Sequence, residues 1–220
     1  MLKKILQTGI LFVLIQVIFL SNFFETGMAA SKRTMALKKY NEFLSYPHRL
    51  WSSDSYRRSK TTDSEIRFRI FDINADGVPE LLVYDDEACN ADGQLAVYSI
   101  VHGKVKYIQS YALWSATFYS NKKGTIVHQT SREEMICSYQ CFNGKKIQEK
   151  QVWYAPIDLN TNKMGKKSYF INSKKVSKIK FKKAEKKLIQ ANTKLTVTER
   201  GKKLYLNTST NRLKLSLIHI

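Results

Sequence analysis

The sequence predicts an α+β fold, an antiparallel β-meander flanked by an N-terminal and a C-terminal helix. Apolar residues recur at helical spacing shortly after residue 30 and again after Ser177. Between those stretches, short runs of alternating polar and apolar residues follow one another from Ile66 to Ile171, punctuated by turn residues. The 220 residues are 43% hydrophobic, with 12 Tyr, 11 Phe and 3 Trp, enough for a substantial core. With only 9 Gly and 3 Pro, the chain is neither collagen-like nor low-complexity.

The first segment, residues 1–29, reads as a secretory signal peptide. Lys3 and Lys4 precede an apolar run from Ile10 to Leu20, and Gly27-Met28-Ala29-Ala30 offers small residues for cleavage. An uncleaved anchor is the alternative, because apolar residues extend from Ile5 to Phe24 and a span needs about 20 residues. The chain is therefore expected to be secreted or extracellular, with possible association with the cell surface.

The domain expected over residues 32–190 opens with a helix from Lys32 to Ser45. Met35, Ala36, Leu37, Tyr40, Phe43 and Leu44 recur at spacings of three and four, and Pro47 stops the run. Ser52 to Ser64 is polar and reads as a loop. Ile66, Phe68 and Ile70 alternate with Arg67 and Arg69 as a half-buried strand. Leu81–Tyr84, Leu95–Ile100, Val105–Tyr111, Ala116–Tyr119, Gly124–Gln129, Met135–Phe142 and Ile147–Tyr154 continue the strand series. His102-Gly103 and Asn143-Gly144 are tight turns between neighbours. Tyr169–Ile171 is a short strand, Asn172–Lys175 a turn, and Ser177 a cap for a helix from Lys178 to about Gln190. Ile179, Phe181, Ala184, Leu188 and Ile189 are expected on or near its apolar face. Residues 191–214 look β-like and are expected to begin a further, truncated unit.

Phe71-Asp72-Ile73-Asn74-Ala75-Asp76-Gly77-Val78-Pro79-Glu80-Leu81-Leu82-Val83 carries the most specific chemistry. Oxygen side chains sit at Asp72, Asn74 and Asp76, Gly77 permits a tight turn, the Val78 carbonyl follows, and Glu80 arrives from the next strand. Calcium takes about six to eight hard oxygen ligands, which these residues and water would supply. The spacing starts like an EF-hand loop, but Val83 stands where that loop requires its bidentate Glu, and both flanks are strand-like. A polar hairpin turn using its own backbone bonds would employ the same residue types.

The loop resembles the strand-loop-strand calcium loops of FG-GAP-type repeats, in which the last acidic ligand comes four residues after the third, where Glu80 stands. Together with "AVYSIVHGKVKYIQSY" and "INSKKVSKIKFKKAEKKL", residues 33 to 190 resemble an uncharacterised group of secreted proteins of Gram-positive bacteria. That resemblance implies an extracellular location and a calcium loop, and no activity. The calcium is expected to be structural and weakly held, at about 10⁻⁴–10⁻³ M as in extracellular modules. Asp158-Leu159-Asn160-Thr161-Asn162 repeats the first half of such a loop, but Lys163 and Lys166 oppose a cation there, and it reads as a turn.

The formal net charge is +19, so the surface attracts anionic polymers. From Thr161 to Gln190, eleven lysines stand against a single acid, Glu185. Lys174, Lys175, Lys178, Lys180, Lys182, Lys183, Lys186 and Lys187 are the expected contact set for an anionic cell-wall polymer or a membrane surface, unless they are simply a solvated face. Nucleic acid is disfavoured by export and by the lack of a recognisable binding motif.

No constellation compels a catalytic reading. Asp85, Asp86, Glu87 and Asp92 supply glycosidase-like acids by composition alone, and His102 and His128 lack a local nucleophile motif. The expected function is a calcium-stabilised binding module, with a wall-active hydrolase or accessory domain whose catalytic part is missing or unrecognised as the alternative. Cys89, Cys137 and Cys141 make an odd count, read as small buried apolar residues, and the unclustered His48, His102, His128 and His219 offer no zinc site. Leu215–Ile220 resembles the translation of a transposase-end sequence used in sequencing libraries, and is expected to be an artefact.

Overall fold

The computed structural model describes residues 31–46, 66–85, 94–112, 115–131, 134–198 and 203–217. The signal segment, the polar loop 52–64, Asp86, Glu87, Cys89, Asp92 and residues 218–220 lie outside the described residues.

Helix α1 spans residues 31–44. Strands β1 (Ile66–Phe71), β2 (Glu80–Asp85), β3 (Gln94–Val101) and β4 (Lys104–Ala112) form an antiparallel meander, as the alternation predicts. β5 (Ser115–Ser120), β6 (Thr125–Ser131), β7 (Glu134–Phe142), β8 (Ile147–Asp158), β9 (Lys163–Met164), β10 (Ser168–Ile171) and β11 (Lys174–Lys175) follow in a second antiparallel sheet. The strands divide between two sheets where the sequence suggested one meander. Helix α2 spans Lys178–Leu188, and Ser177 caps it, its hydroxyl accepting from the Lys180 N–H at 3.3 Å.

The layering follows from which faces are apolar. Leu82, Tyr84, Leu95, Val97 and Tyr111 of the first sheet pack on Ala116, Phe118, Ile126 and Phe142 of the second. The opposite face of the first sheet, with Phe68, Leu81, Val83 and Tyr98, is covered by Ala36, Tyr40 and Leu44 of α1. The outer face of the second sheet, with Cys137, Tyr139, Trp153 and Ala155, is covered by Phe181 and Leu188 of α2. The order is helix, sheet, sheet, helix. β2 is buried along its whole length because both of its faces are covered.

Residues 193–198 and 205–206 join the two sheets above instead of starting a separate unit. β12 (Thr193–Thr198) pairs with β5, and β13 (Tyr205–Leu206) pairs with β1, so each completes the edge of a sheet already formed. Asn207 is 0% exposed and locks this return: its N–H donates to the Ile66 carbonyl at 2.8 Å and its amide to the Leu44 carbonyl at 3.0 Å. Arg212 donates to the Asn207 side-chain oxygen at 3.0 Å. Helix α3 (Ser209–Leu217) stands where β structure was expected from residue 209 onward; the Thr208 hydroxyl accepts from the Asn211 N–H at 3.2 Å and begins it. Residues 215–217 continue α3.

Two further expectations need correction. Lys174–Lys175 form β11 against Phe170–Ile171, and the turn is confined to Asn172 and Ser173, with φ of 46° and 63°. Ile179 is 83% exposed and sits among lysines, because it is two positions out of step with Phe181 on the helix. Cys137 and Cys141 are free thiols on β7. Among the described residues, no helix is long and apolar enough to cross a membrane.

Candidate functional site

Three connections meet at one end of the sandwich: the 72–79 loop between β1 and β2, the 121–124 turn between β5 and β6, and the 143–146 turn between β7 and β8. The Asn121 N–H donates to the Ile73 carbonyl at 3.2 Å, and the Phe142 N–H donates to the Gly124 carbonyl at 2.8 Å. Ser99 of β3 donates to the Gly144 carbonyl at 3.1 Å. Gly124 has φ of 58°, and a Cβ there would lie 2.2 Å from the Phe142 carbonyl oxygen. That close approach needs glycine.

Within the loop, Ala75 and Gly77 take left-handed φ values of 52° and 85° and reverse the chain. Asp72 accepts from the Asp76 N–H at 3.2 Å and the Gly77 N–H at 2.9 Å. Asp76 accepts from the Val78 N–H at 2.8 Å and from the Asn74 amide at 2.9 Å. The Asn74 side-chain oxygen is buried with no hydrogen-bond partner. Val78 is half-buried against the α1 core.

Glu80 is 1% exposed. Its carboxylate accepts from the Ile73 N–H at 2.9 Å, and the Ser99 hydroxyl, whose single proton also faces the Gly144 carbonyl, lies 3.4 Å away. Burial pushes its pKa well above the ordinary carboxylate value, and the Asp76 and Asp72 charges add to the rise. Burial raises Asp72 as well, against the hydrogen bond from Gly77. Tyr40 of α1 donates to the Pro79 carbonyl at 3.1 Å, tying the helix to the loop.

Asp72, Asn74, Asp76, Val78 and Glu80 thus share one compact loop, with the carboxylate oxygens of Asp72 and Asp76 committed to backbone and amide N–H groups. Among the described residues, no group of three or more His, Cys, Asp or Glu side chains is arranged to hold a metal ion. Asp158 makes the same kind of local turn, accepting from the Asn160 N–H at 3.0 Å and the Thr161 hydroxyl at 2.7 Å. These bonds draw its carboxyl below the ordinary value.

All eight lysines of the expected polymer-contact set are exposed. Lys178, Lys180, Lys182, Lys183, Lys186 and Lys187 lie on α2, and Lys174 and Lys175 on the adjoining β11. Lys182 pairs with Glu185, whose other oxygen accepts from the Tyr139 hydroxyl. The C-terminal carbonyls of α2 are met by the loop end. Asn121 donates to the carbonyls of Leu188 and Gln190, both at 2.9 Å, and Thr125 donates to Leu188 at 2.6 Å.

Asp86, Glu87 and Asp92 lie outside the described residues. Asp85 is buried at the end of β2, His102 is exposed at a turn of the first sheet, and His128 lies in the second sheet against Tyr111.

The sequence reading missed Ser99, Asn121 and Gly144 as partners of the 72–80 loop. Asn143-Gly144 was visible only as a hairpin turn, and no local signal places Ser99 beside Glu80 or Asn121 beside Ile73. No protein-family model, curated protein or solved structure matches this chain.

Proposed function

We propose that this chain is a secreted, cell-surface-associated binding module, with its loop end stabilised by calcium and its α2–β11 face holding an anionic surface polymer. Glu80 carries the calcium half of this reading. A carboxylate that is 1% exposed, with Asp72 and Asp76 as like-charged neighbours, is costly to ionise without a cation. Asp72, Asn74, Asp76, the Val78 carbonyl and Glu80 would hold the ion. The unpartnered Asn74 oxygen fits a hard cation, as do the carboxylates. Binding would draw Asp72 and Asp76 from part of their backbone contacts, in keeping with weak affinity. Bound calcium would offset the repulsion among the three acids.

The polymer half rests on a single-sign surface. Phe181 and Leu188 anchor α2 to the second sheet, which leaves its lysines exposed, and those of the adjoining β11 are exposed as well. Such an array attracts a flexible polyanion through many weak, salt-sensitive contacts.

The test is retention on purified anionic wall polymer in graded salt. The wild type is expected to bind at low salt and elute as salt rises, and Lys178→Glu/Lys183→Glu/Lys186→Glu to pass through. Equal retention of that variant would remove the α2 face from the proposal. The calcium half is tested separately by melting in chelator and in calcium.

A further inference from the structure

Beside the 72–80 loop lies an open cleft of about 510 Å³, bounded by Asn74 and Asp76, by Lys122 and Lys123, and by β7–β8 residues including Asn143, Lys146, Gln148 and Lys150. Its size falls within the range of small-ligand sites, about 300–1,000 Å³. Four lysines line it against one acidic residue, Asp76. Among the described residues, none of the four lysines is paired with an acid.

Two of these lysines are held in place by neutral acceptors. Lys123 donates to the Lys187 carbonyl at 2.8 Å, and Lys150 to the Gln148 side-chain oxygen at 2.7 Å. Such bonds fix position with no full negative charge opposite, although the Lys187 carbonyl belongs to the partly negative C-terminal end of α2. Lys122 and Lys146 are exposed at the rim. The field reaches Cys141 in the cleft wall: burial raises its thiol, and Lys150 and Lys123 pull it back. The Asn143 oxygen is occupied by the N–H groups of Lys145 and Lys146, at 3.2 and 3.0 Å, which leaves its amide N–H₂ to donate.

We infer that this cleft binds a small phosphorylated sugar or polyol, its phosphate among Lys122, Lys123, Lys146 and Lys150 and its hydroxyls on Asp76, Asn143 and Gln148. A phosphate matches several ammonium donors at once. A carboxylate and side-chain amides are acceptors and donors suited to hydroxyl groups. The site is distinct from the α2 face, and its lysines act whether or not calcium occupies the loop.

The test is calorimetric titration of the full chain, in chelator, with glucose 6-phosphate, inorganic phosphate and glucose. Glucose 6-phosphate is expected to bind, inorganic phosphate to bind more weakly, and glucose to give no heat. Lys122→Gln/Lys146→Gln should weaken glucose 6-phosphate about tenfold or more through lost charge-assisted bonds. Lys32→Gln/Lys38→Gln removes the same charge from exposed positions on α1 and should change affinity less than about twofold if general attraction is minor. Because all four substituted lysines are exposed, the folded state should survive, and the melting curves check this. In the wild type, amide NMR shifts on titration should concentrate at residues 74–76, 122–124 and 143–148. No heat with glucose 6-phosphate, equal binding of inorganic phosphate or of glucose, equal weakening in both double variants, or shifts centred elsewhere would each overturn the assignment.

Discussion

Replacing Glu80 with glutamine is expected to have opposite effects in chelator and in calcium. The amide has the shape of the carboxylate, and its oxygen keeps the Ile73 N–H bond seen at 2.9 Å. Its N–H₂ would donate to Ser99, whose hydroxyl still has the Gly144 carbonyl at 3.1 Å. No partner is stranded, while the cost of burying this carboxyl, whether as a proton taken up on folding or as a charge repelled by Asp72 and Asp76, is removed. In chelator the variant should gain about 1–2 kcal/mol, by analogy with the neutral-to-stabilising replacement of buried charges. For a chain of this length that is about 2–8 °C in Tm. In about 10 mM calcium, a site with Kd of about 10⁻⁴–10⁻³ M stabilises the wild type by about 1.4–2.7 kcal/mol, which the variant forfeits with its bidentate ligand. Differential scanning calorimetry of both proteins, each in EDTA and in calcium, measures all four values. A variant less stable in EDTA, with a calcium response equal to that of the wild type, would refute the reasoning.

The same carboxyl sets a pH dependence. Its raised pKa means that the folded chain holds a proton the unfolded chain has released. In chelator this contribution is therefore full below the ordinary glutamate range and lost as pH rises toward the folded pKa; Glu80→Gln should flatten that slope in melts across pH. Asn207→Ala strands the Leu44 carbonyl and removes one of the bonds made by Arg212, which keeps its bond to the backbone carbonyl of residue 207, and should cost about 1–3 kcal/mol in urea unfolding. Tyr40→Phe removes the bond to the Pro79 carbonyl, and should lower stability by about 1–2 kcal/mol by the same assay. Gly124→Ala places a Cβ against the Phe142 carbonyl at positive φ, and should cost more than about 2 kcal/mol or prevent folding, read by circular dichroism.

Most elements were legible because their signals are local. Period-two alternation in Ile66–Ile70 exposes the half-buried strand, Ser177 announces the α2 cap, and Asp72, Asn74, Asp76 and Gly77 declare a tight oxygen-rich turn within a few residues. The lysine surface was legible for the same reason, since α2 and β11 are adjacent in the chain. Leu81–Tyr84 shows where local signals end: the unbroken apolar run implies a strand, yet only the stacking of two sheets reveals that Leu82 and Tyr84 face the partner sheet while Leu81 and Val83 face α1. The division into two sheets, the return of β12 and β13 to the two sheet edges, and the burial of Glu80 beside Ser99 all depend on pairings between residues far apart in sequence. The lysine-lined cleft belongs to the same category, because Lys122, Lys146 and Asp76 become neighbours only when three turns are brought to one end of the sandwich. Residue type and spacing determine what a segment is able to form; the mutual covering of apolar faces decides which segments meet, and therefore which charges must share one space.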